Sequence, residues 1–226
     1  MLFTNRQRPQ SISINAEGQI VSEISETKFL GVIVDNKLSW HAHIKYIAQK
    51  ISKSVSLLRM VKFTFPRKNL KTLYHTFIYP YFNYCNLIWG SANSTQLRPV
   101  ILLQKKCIRI ISKSNYYQHT DPLFKELNLM KLSHIYSYNC AKFIFLCYNN
   151  SNYNIFRQKL IQNNSVHRYE TKSAHLLRKP FVRLEKFMKS FLNKGIDVWN
   201  SLPYDIKMVK SQVTFKIKVK KHILSL

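Results

Sequence analysis

The sequence predicts an α+β chain in which helices dominate: a small N-terminal β-hairpin sheet packed on a multi-helix domain. Two patterns and one total carry this expectation. Up to about residue 40 the apolar residues are β-branched and follow strand periodicity, whereas beyond Trp40 they recur with a period near 3.6. A hydrophobic content of 46% over 226 residues suffices to bury a core, which excludes wholesale disorder. Only 4 Gly and 7 Pro exclude collagen-like and low-complexity chains. The charge is lopsided, 36 Lys+Arg against 10 Asp+Glu, or +26. Such a chain repels itself, and a polyanion relieves this most simply, either nucleic acid or an anionic membrane surface.

Ile12 and Ile14 alternate with Ser11 and Ser13, the cluster Asn15-Ala16-Glu17-Gly18 reads as a turn, and Gln19 to Ile24 returns as the partner strand. The run Lys28 to Val34, closed by Asp35-Asn36, has strand chemistry, and Gly31 in its middle suggests a bulge or a close backbone approach. Ser39 is the expected N-cap of a first helix, in which Ile44, Ile47, Ala48, Ile51, Val55 and Leu58 form one apolar stripe and Lys45, Lys50 and Lys53 fall off it. A second helix starts near Pro66 and runs through Leu70, Leu73, Tyr74, Phe77 and Ile78 until Pro80 ends or kinks it. Arg67, Lys68 and Lys71 lie in its first turns.

The segment Tyr79 to Gly90 is rich in aromatics, a density that ordinarily marks core. A third helix spans about residues 95–114. Val100, Leu103, Cys107, Ile110 and Ile111 share one side, with Lys105, Lys106, Arg109 and Lys113 opposite. A short helix follows Thr120-Asp121-Pro122, and a longer one covers about 133–149. Residues 149–164 are polar and read as a linker. Leu184, Phe187, Met188, Phe191 and Leu192 fit a helix with Gly195 near its stop. From Val213 to Lys220 apolar and basic residues alternate, which is strand periodicity.

Several function classes find no support. No two acids are adjacent, and Glu23 and Glu26, the closest pair, read as solvated surface charges. His41 and His43 form the one tight histidine pair, lack further ligands at zinc-finger spacing, and read as surface histidines. No nucleophile-elbow, phosphate-loop or dinucleotide glycine pattern is present. Met1 to Gln10 carries no apolar leader, and the longest apolar stretch, Ile135 to Tyr148, is interrupted and too short to span a bilayer. Cys85, Cys107, Cys140 and Cys147 contain no C-x-x-C pair and read as reduced core thiols of an intracellular, non-secreted protein, nuclear or cytoplasmic. What remains is basic faces interleaved with aromatics, the chemistry that neutralises phosphates and stacks on bases, with the Lys105, Lys106, Arg109 and Lys113 helix as the best candidate.

Ordered motifs then point to a family. Glu26-Thr27-Lys28-Phe29-Leu30-Gly31-Val32, followed by Asp35-Asn36-Lys37-Leu38-Ser39-Trp40 and His43-Ile44, resembles the end of the palm in reverse transcriptases of non-LTR, LINE-like retrotransposons of the jockey type. Leu73-Tyr74, Ile78 to Cys85 with Trp89-Gly90, Leu103 to Ile111 and His119 to Phe124 resemble the helical region after the palm. Leu176 to Pro180 and Asp197 to Pro203 resemble the C-terminal tail.

The resemblance implies that residues 1–40 are end-of-palm hairpins, in which Phe29, Leu30 and Gly31 form a primer-grip hairpin. Residues 41–150 would be a helical thumb gripping a template–primer duplex of RNA or DNA through Lys45, Lys50, Lys53, Arg67, Lys68, Lys71, Lys105, Lys106, Arg109 and Lys113. Residues 151–226 would be a basic C-terminal region after the linker, and the resemblance makes the tail at 216–221 helical. The paired catalytic aspartates of that family lie upstream of the Phe-Leu-Gly strand, where this chain has no aspartate. No turnover is therefore expected from the chain alone, and no cofactor within it; Mg2+ is implied only for the complete polymerase. Neither a membrane nor a small-molecule substrate is expected as partner. The competing expectations are a stand-alone structural RNA-binding protein, a decayed element fragment without selected function, and an anionic-membrane binder acting through the tail.

Overall fold

The computed structural model describes residues 1, 3, 14–16, 19–166, 173–183 and 185–225. Ile12, the turn residues Glu17 and Gly18, and Leu184 lie outside them. Two antiparallel hairpins come first: β1 (Ile14–Ala16) with β2 (Gln19–Val21), and β3 (Glu26–Phe29) with β4 (Val32–Asp35). Helices follow as α1 (His41–Met60), α2 (Arg67–Phe77), α3 (Tyr79–Asn83), α4 (Asn86–Trp89), α5 (Ser94–Ile111), α6 (Thr120–Glu126) and α7 (Leu132–Asn149). Then come α8 (Asn154–Arg157), α9 (Glu185–Met188), α10 (Phe191–Ser201), α11 (Tyr204–Lys207) and α12 (Gln212–Ser225). The expected α+β class with helices dominant is therefore what forms.

The single strand expected over Lys28 to Val34 is instead two strands and a turn. Leu30 (φ 45°) and Gly31 (φ 78°) both adopt left-handed backbone, the two-residue geometry whose twist matches a tight hairpin. Gly31 supplies that conformation freely; Leu30 does so at a cost of about 1–2 kcal/mol.

The turn into α1 is held by Asp35 and not by Ser39. The Asp35 carboxylate accepts the amides of Lys37, Ser39 and Trp40, each at 3.0 Å, and the Ser39 hydroxyl at 3.1 Å. These bonds fix a loop in which Leu38 (φ 50°) and Trp40 (φ 64°) are also left-handed. The Ser39 hydroxyl, already donating to Asp35, offers the His41 amide only a long 3.4 Å contact, and the α1 N-cap position falls to Trp40 without a side-chain cap. Burial pushes the Asp35 carboxyl up, but these donors outweigh it and hold the group below the usual carboxylate range.

His43 is no surface histidine. It is buried under the hairpin, its Nδ1 accepts the Ile33 amide at 3.3 Å, and its ring meets the Trp89 ring edge-on at 6.0 Å. Burial lowers its pKa, so the folded chain holds it neutral.

The expected α1 stripe, apart from half-buried Ala48, is buried and packs on α5. Gln104, fully enclosed on α5, donates to the Tyr74 hydroxyl and the Met130 carbonyl, each at 3.0 Å, and accepts the Leu132 amide at 2.9 Å. One side chain thus ties α2, the 129–131 connection and the start of α7. The aromatic segment divides as its density suggests: Phe82 and Trp89 are fully buried, whereas Tyr84 is 54% exposed.

Two apolar clusters result. The first runs from Ile44 to Ile135, and the second joins Ala141, Ile144 and Phe145 of α7 to α10, α11 and α12. Residues 149–164, expected to be a linker, instead continue from the end of α7 into a 3-10 turn at Ser151–Tyr153, α8 and a second 3-10 turn at Asn163–Ser165. Leu160 is buried in the second cluster, with Tyr153 and Phe156 packed against it, because scattered apolar residues inside a polar stretch are enough to anchor it. Gly195 does not stop a helix; it lies inside α10, where a Cβ would come within 3.2 Å of two Ile144 side-chain carbons, so the bare backbone permits close α10–α7 packing. The C-terminal segment is the helix that the resemblance implied: Phe215, Val219 and Ile223 are buried at i, i+4 and i+8, while the alternating residues Val213 and Ile217 stay exposed. Burial pushes the Cys107 and Cys140 thiols up to about 12, and all four cysteines are free. Among the described residues, no helix is long and apolar enough to cross a membrane.

Two outcomes are expected in denaturant melts. Gly195→Val lowers stability by about 1–3 kcal/mol by forcing α10 off α7. Stability also falls with pH in two steps. The His43 contribution is complete above its ordinary value of 6.5 and declines as pH drops below it, because the unfolded chain takes the proton more readily. The Asp35 contribution is complete above 3.8 and is lost as pH falls through its depressed folded value. His75 and His134, also held below 6.5 by burial and neighbouring lysines, contribute to the first step, so His43→Gln should shrink that step and leave the second unchanged.

Candidate nucleic-acid interface

Helix α1, about 30 Å long, and helix α5 lie side by side with a furrow between them. On α1, Lys45, Ser52 and Arg59 recur every seventh residue and so share one face. One part of the furrow is a cavity of about 580 Å3 flanked by Lys45 and Lys106 over a floor that includes Ala48 and Leu103. A second part, about 420 Å3, is flanked by Arg59, Lys62, Lys106 and Arg109, with Phe63 and Tyr116 at its edge. Lys106 lines both, so the two parts meet at that residue. Phe63 is 84% and Tyr116 64% exposed, so both rings present an open face. Lys62 Nζ stands 5.5 Å from the Phe63 ring centre, and the Arg109 guanidinium 5.8 Å from that of Tyr116. Neither Lys45, Arg59, Lys62, Lys106 nor Arg109 is among the ion pairs of the described residues.

The cations picked from the sequence therefore separate. Lys45, Lys106 and Arg109 meet in the furrow. Lys105 points elsewhere, into a small cavity with Asp121 and Lys131. Lys113 does not continue the helix face. Its amide bonds the Ile110 carbonyl and the Ser114 amide bonds the Arg109 carbonyl, so Lys113 (φ 56°) occupies the left-handed position that terminates α5, where glycine is usual. Arg67 pairs with Glu126 at 2.7 Å and donates to the Ser112 carbonyl at 2.9 Å, and Lys71 donates to the Leu127 carbonyl at 2.6 Å. Those two cations close the C-terminal ends of α5 and α6. Lys50 and Lys28 both stand over the Tyr46 ring, at 5.6 and 5.4 Å, on another side of α1, and Lys53 and Lys68 are exposed away from the furrow.

The Phe29-Leu30-Gly31 turn projects from the body, with Phe29 66% and Leu30 74% exposed. Its orientation is set by Tyr84, whose hydroxyl donates to the Leu30 carbonyl at 2.6 Å and whose ring lies 3.4 Å from where a Gly31 Cβ would be. The close approach expected at Gly31 is thus met within the chain by Tyr84. Sequence reading missed Arg59, Lys62, Phe63 and Tyr116. Arg59 carried a signal in its spacing from Lys45, whereas Phe63 and Tyr116 sit in connections without periodicity.

Among the described residues the carboxylates do not form a cluster that fits a catalytic divalent ion. Asp35 is consumed by backbone amides, Asp121 pairs with Lys131 and Asp197 with Lys179. Among the described residues no three His, Cys, Asp or Glu side chains converge.

No protein-family model and no solved structure matches the chain. Curated proteins do. The chain is 27% identical over 124 residues to a probable RNA-directed DNA polymerase from transposon BS of Drosophila melanogaster, covering 54% of this chain and 14% of that protein. It is 29% identical over 136 residues to the RNA-directed DNA polymerase from mobile element jockey of the same organism, covering 58% and 14%. The jockey polymerase of Drosophila funebris gives 27% identity over 134 residues, again 58% and 14%. Over about half its length the chain is thus similar to a non-LTR retrotransposon reverse transcriptase, as the motifs indicated, and what it matches is a fragment of such a protein.

Tyr84→Phe should release the turn without disturbing the helical body. Amide exchange should accelerate at Gly31 and Val32 and stay unchanged in α5.

Proposed function

We propose that this chain is a nucleic-acid-gripping fragment of a retrotransposon RNA-directed DNA polymerase, in which the α1–α5 furrow holds the sugar–phosphate backbone of a template–primer duplex. One observation carries the reading: Lys45, Arg59, Lys62, Lys106 and Arg109 line the furrow, with no carboxylate pairing them among the described residues, beside two open aromatic rings. A merely solvated helix pair intersperses both signs of charge. A row of cations without counter-ions instead gains by displacing the counter-ions of a phosphate strand, while Phe63 and Tyr116 offer surfaces for an unpaired base.

The hairpin turn fits a supporting part. Phe29, Leu30 and Gly31 stand out from the body on a tether, Tyr84, that fixes their backbone. In this reading the turn approaches the primer strand. Nucleotide transfer needs carboxylates that the described residues do not bring together; in this reading the fragment binds and positions, and the chemistry lies in another part of the polymerase. The similarity to the jockey and BS polymerases supports the assignment to that class of protein.

Affinity for a template–primer duplex should fall linearly with salt on logarithmic axes. Replacing Lys45, Arg59, Lys106 and Arg109 together with Gln should flatten that slope by about 3.6, at about 0.9 per lost phosphate contact. A slope that does not change would remove the furrow from the interface.

A further inference from the structure

A second basic face lies on α2, α3, α7 and α12 and shares no residue with the furrow. Helix α12 is seated on α7 through Phe215, Val219 and Ile223, with the Phe145 and Phe215 rings stacked at 4.1 Å. Lys216 and Lys220, one and five residues past Phe215, stand along one edge of that buried stripe. Lys142 of α7 is half-buried, with its Nζ 5.7 Å from the centre of the Tyr138 ring. His75 of α2 meets the Tyr79 ring of α3 edge-on at 5.4 Å.

These groups feel one another electrostatically. After burial, Lys216 is what holds the Lys142 ammonium below its ordinary range, and Lys71 and Lys220 do the same to His75. Tyr79 and Tyr138 interact likewise, and burial pushes both phenols up, so they remain hydrogen-bond donors. No described ion pair involves Lys71, Lys142, Lys216 or Lys220. Cations and O–H donors gathered with no acid among them form a receptor for a phosphodiester.

We propose that Lys142, Lys216, Lys220 and His75, with the Tyr79 and Tyr138 hydroxyls, form a second phosphate-binding face that takes a nucleic-acid strand separate from the one in the furrow. The choice of a nucleic-acid strand over a lipid headgroup rests on the function proposed above and on the two tyrosine rings set among the cations. The chain then bridges two nucleic-acid segments. Lys71, already donating to the Leu127 carbonyl, adds charge to this face without being its contact.

The test is native mass spectrometry of the whole chain with a duplex of about ten base pairs, some 34 Å long at about 3.4 Å per step. Two duplexes per chain are expected. The triple variant Lys142→Gln, Lys216→Gln, Lys220→Gln should bind one and lose about 2.7 from its summed salt slope. Lys45→Gln with Lys106→Gln and Arg109→Gln should also bind one, through the remaining face. Because Lys142 is half-buried, the exposed substitution Lys220→Glu is read in parallel, and it should lower the slope by about one. Single occupancy of the unmodified chain, or unaltered binding in the triple variant and Lys220→Glu, overturns the second face. So does an effect of these variants confined to phosphatidylserine vesicles. Failure of the furrow reading looks different: the furrow variant keeps its full slope while the α12 variant loses part of it.

Discussion

Helix α7 must be covered on nearly every side. Leu132, Ile135, Tyr136, Cys140, Ala141, Ile144, Phe145 and Cys147 are all buried and do not fit one face of a helix. No single neighbour can dry such a cylinder. The chain meets the constraint by placing α3, α4 and α5 with their partners on one part of it and α10 and α12 on the other. The two apolar clusters are consequences of one helix, and the C-terminal region is as necessary to α7 as the segment before it. Gly195 and the Phe145–Phe215 stack are local terms of the same requirement.

A few buried polar groups then decide where the α1–α5 furrow and the hairpin turn stand. Gln104 sets α2 and the start of α7 against α5, and α5 in turn forms one wall of the furrow with α1. Asp35 closes the loop into α1, and His43 fastens the hairpin beneath it. Both act through backbone amides, which fix geometry more tightly than apolar contact does. With the hairpin held by Tyr84 as well, the projecting Phe29-Leu30-Gly31 turn keeps a defined direction. The cost is three left-handed non-glycine residues, Leu30, Leu38 and Trp40, within eleven positions.

The excess positive charge is spent unevenly. Arg67 and Lys71 serve helix ends, where the carbonyls of Ser112 and Leu127 would otherwise lack partners. Lys105 and Lys131 share the vicinity of Asp121. Of the other cations, Lys45, Arg59, Lys62, Lys106 and Arg109 line the α1–α5 furrow and Lys216, Lys218, Lys220 and Lys221 lie along α12.

Much of this was legible in the residues. The apolar stripe of α1, the start of α2 at Pro66 and the core role of Phe82 and Trp89 follow from periodicity, proline stereochemistry and aromatic density, which are local properties of the chain. The ordered motifs likewise carry the resemblance to non-LTR reverse transcriptases in the primary structure alone. The tertiary structure alone decided the rest. Whether residues 213–220 became strand or helix depended on α7 offering a surface that only every fourth residue could reach. Gly195 and Lys113 inverted their usual meanings, one lying inside a helix and the other ending one, because packing distance and carbonyl capping are set by partners remote in sequence. For the same reason the cations divided between helix ends and furrow: charge is written in the sequence, but the nearest carbonyl or carboxylate is known only once the helices have met.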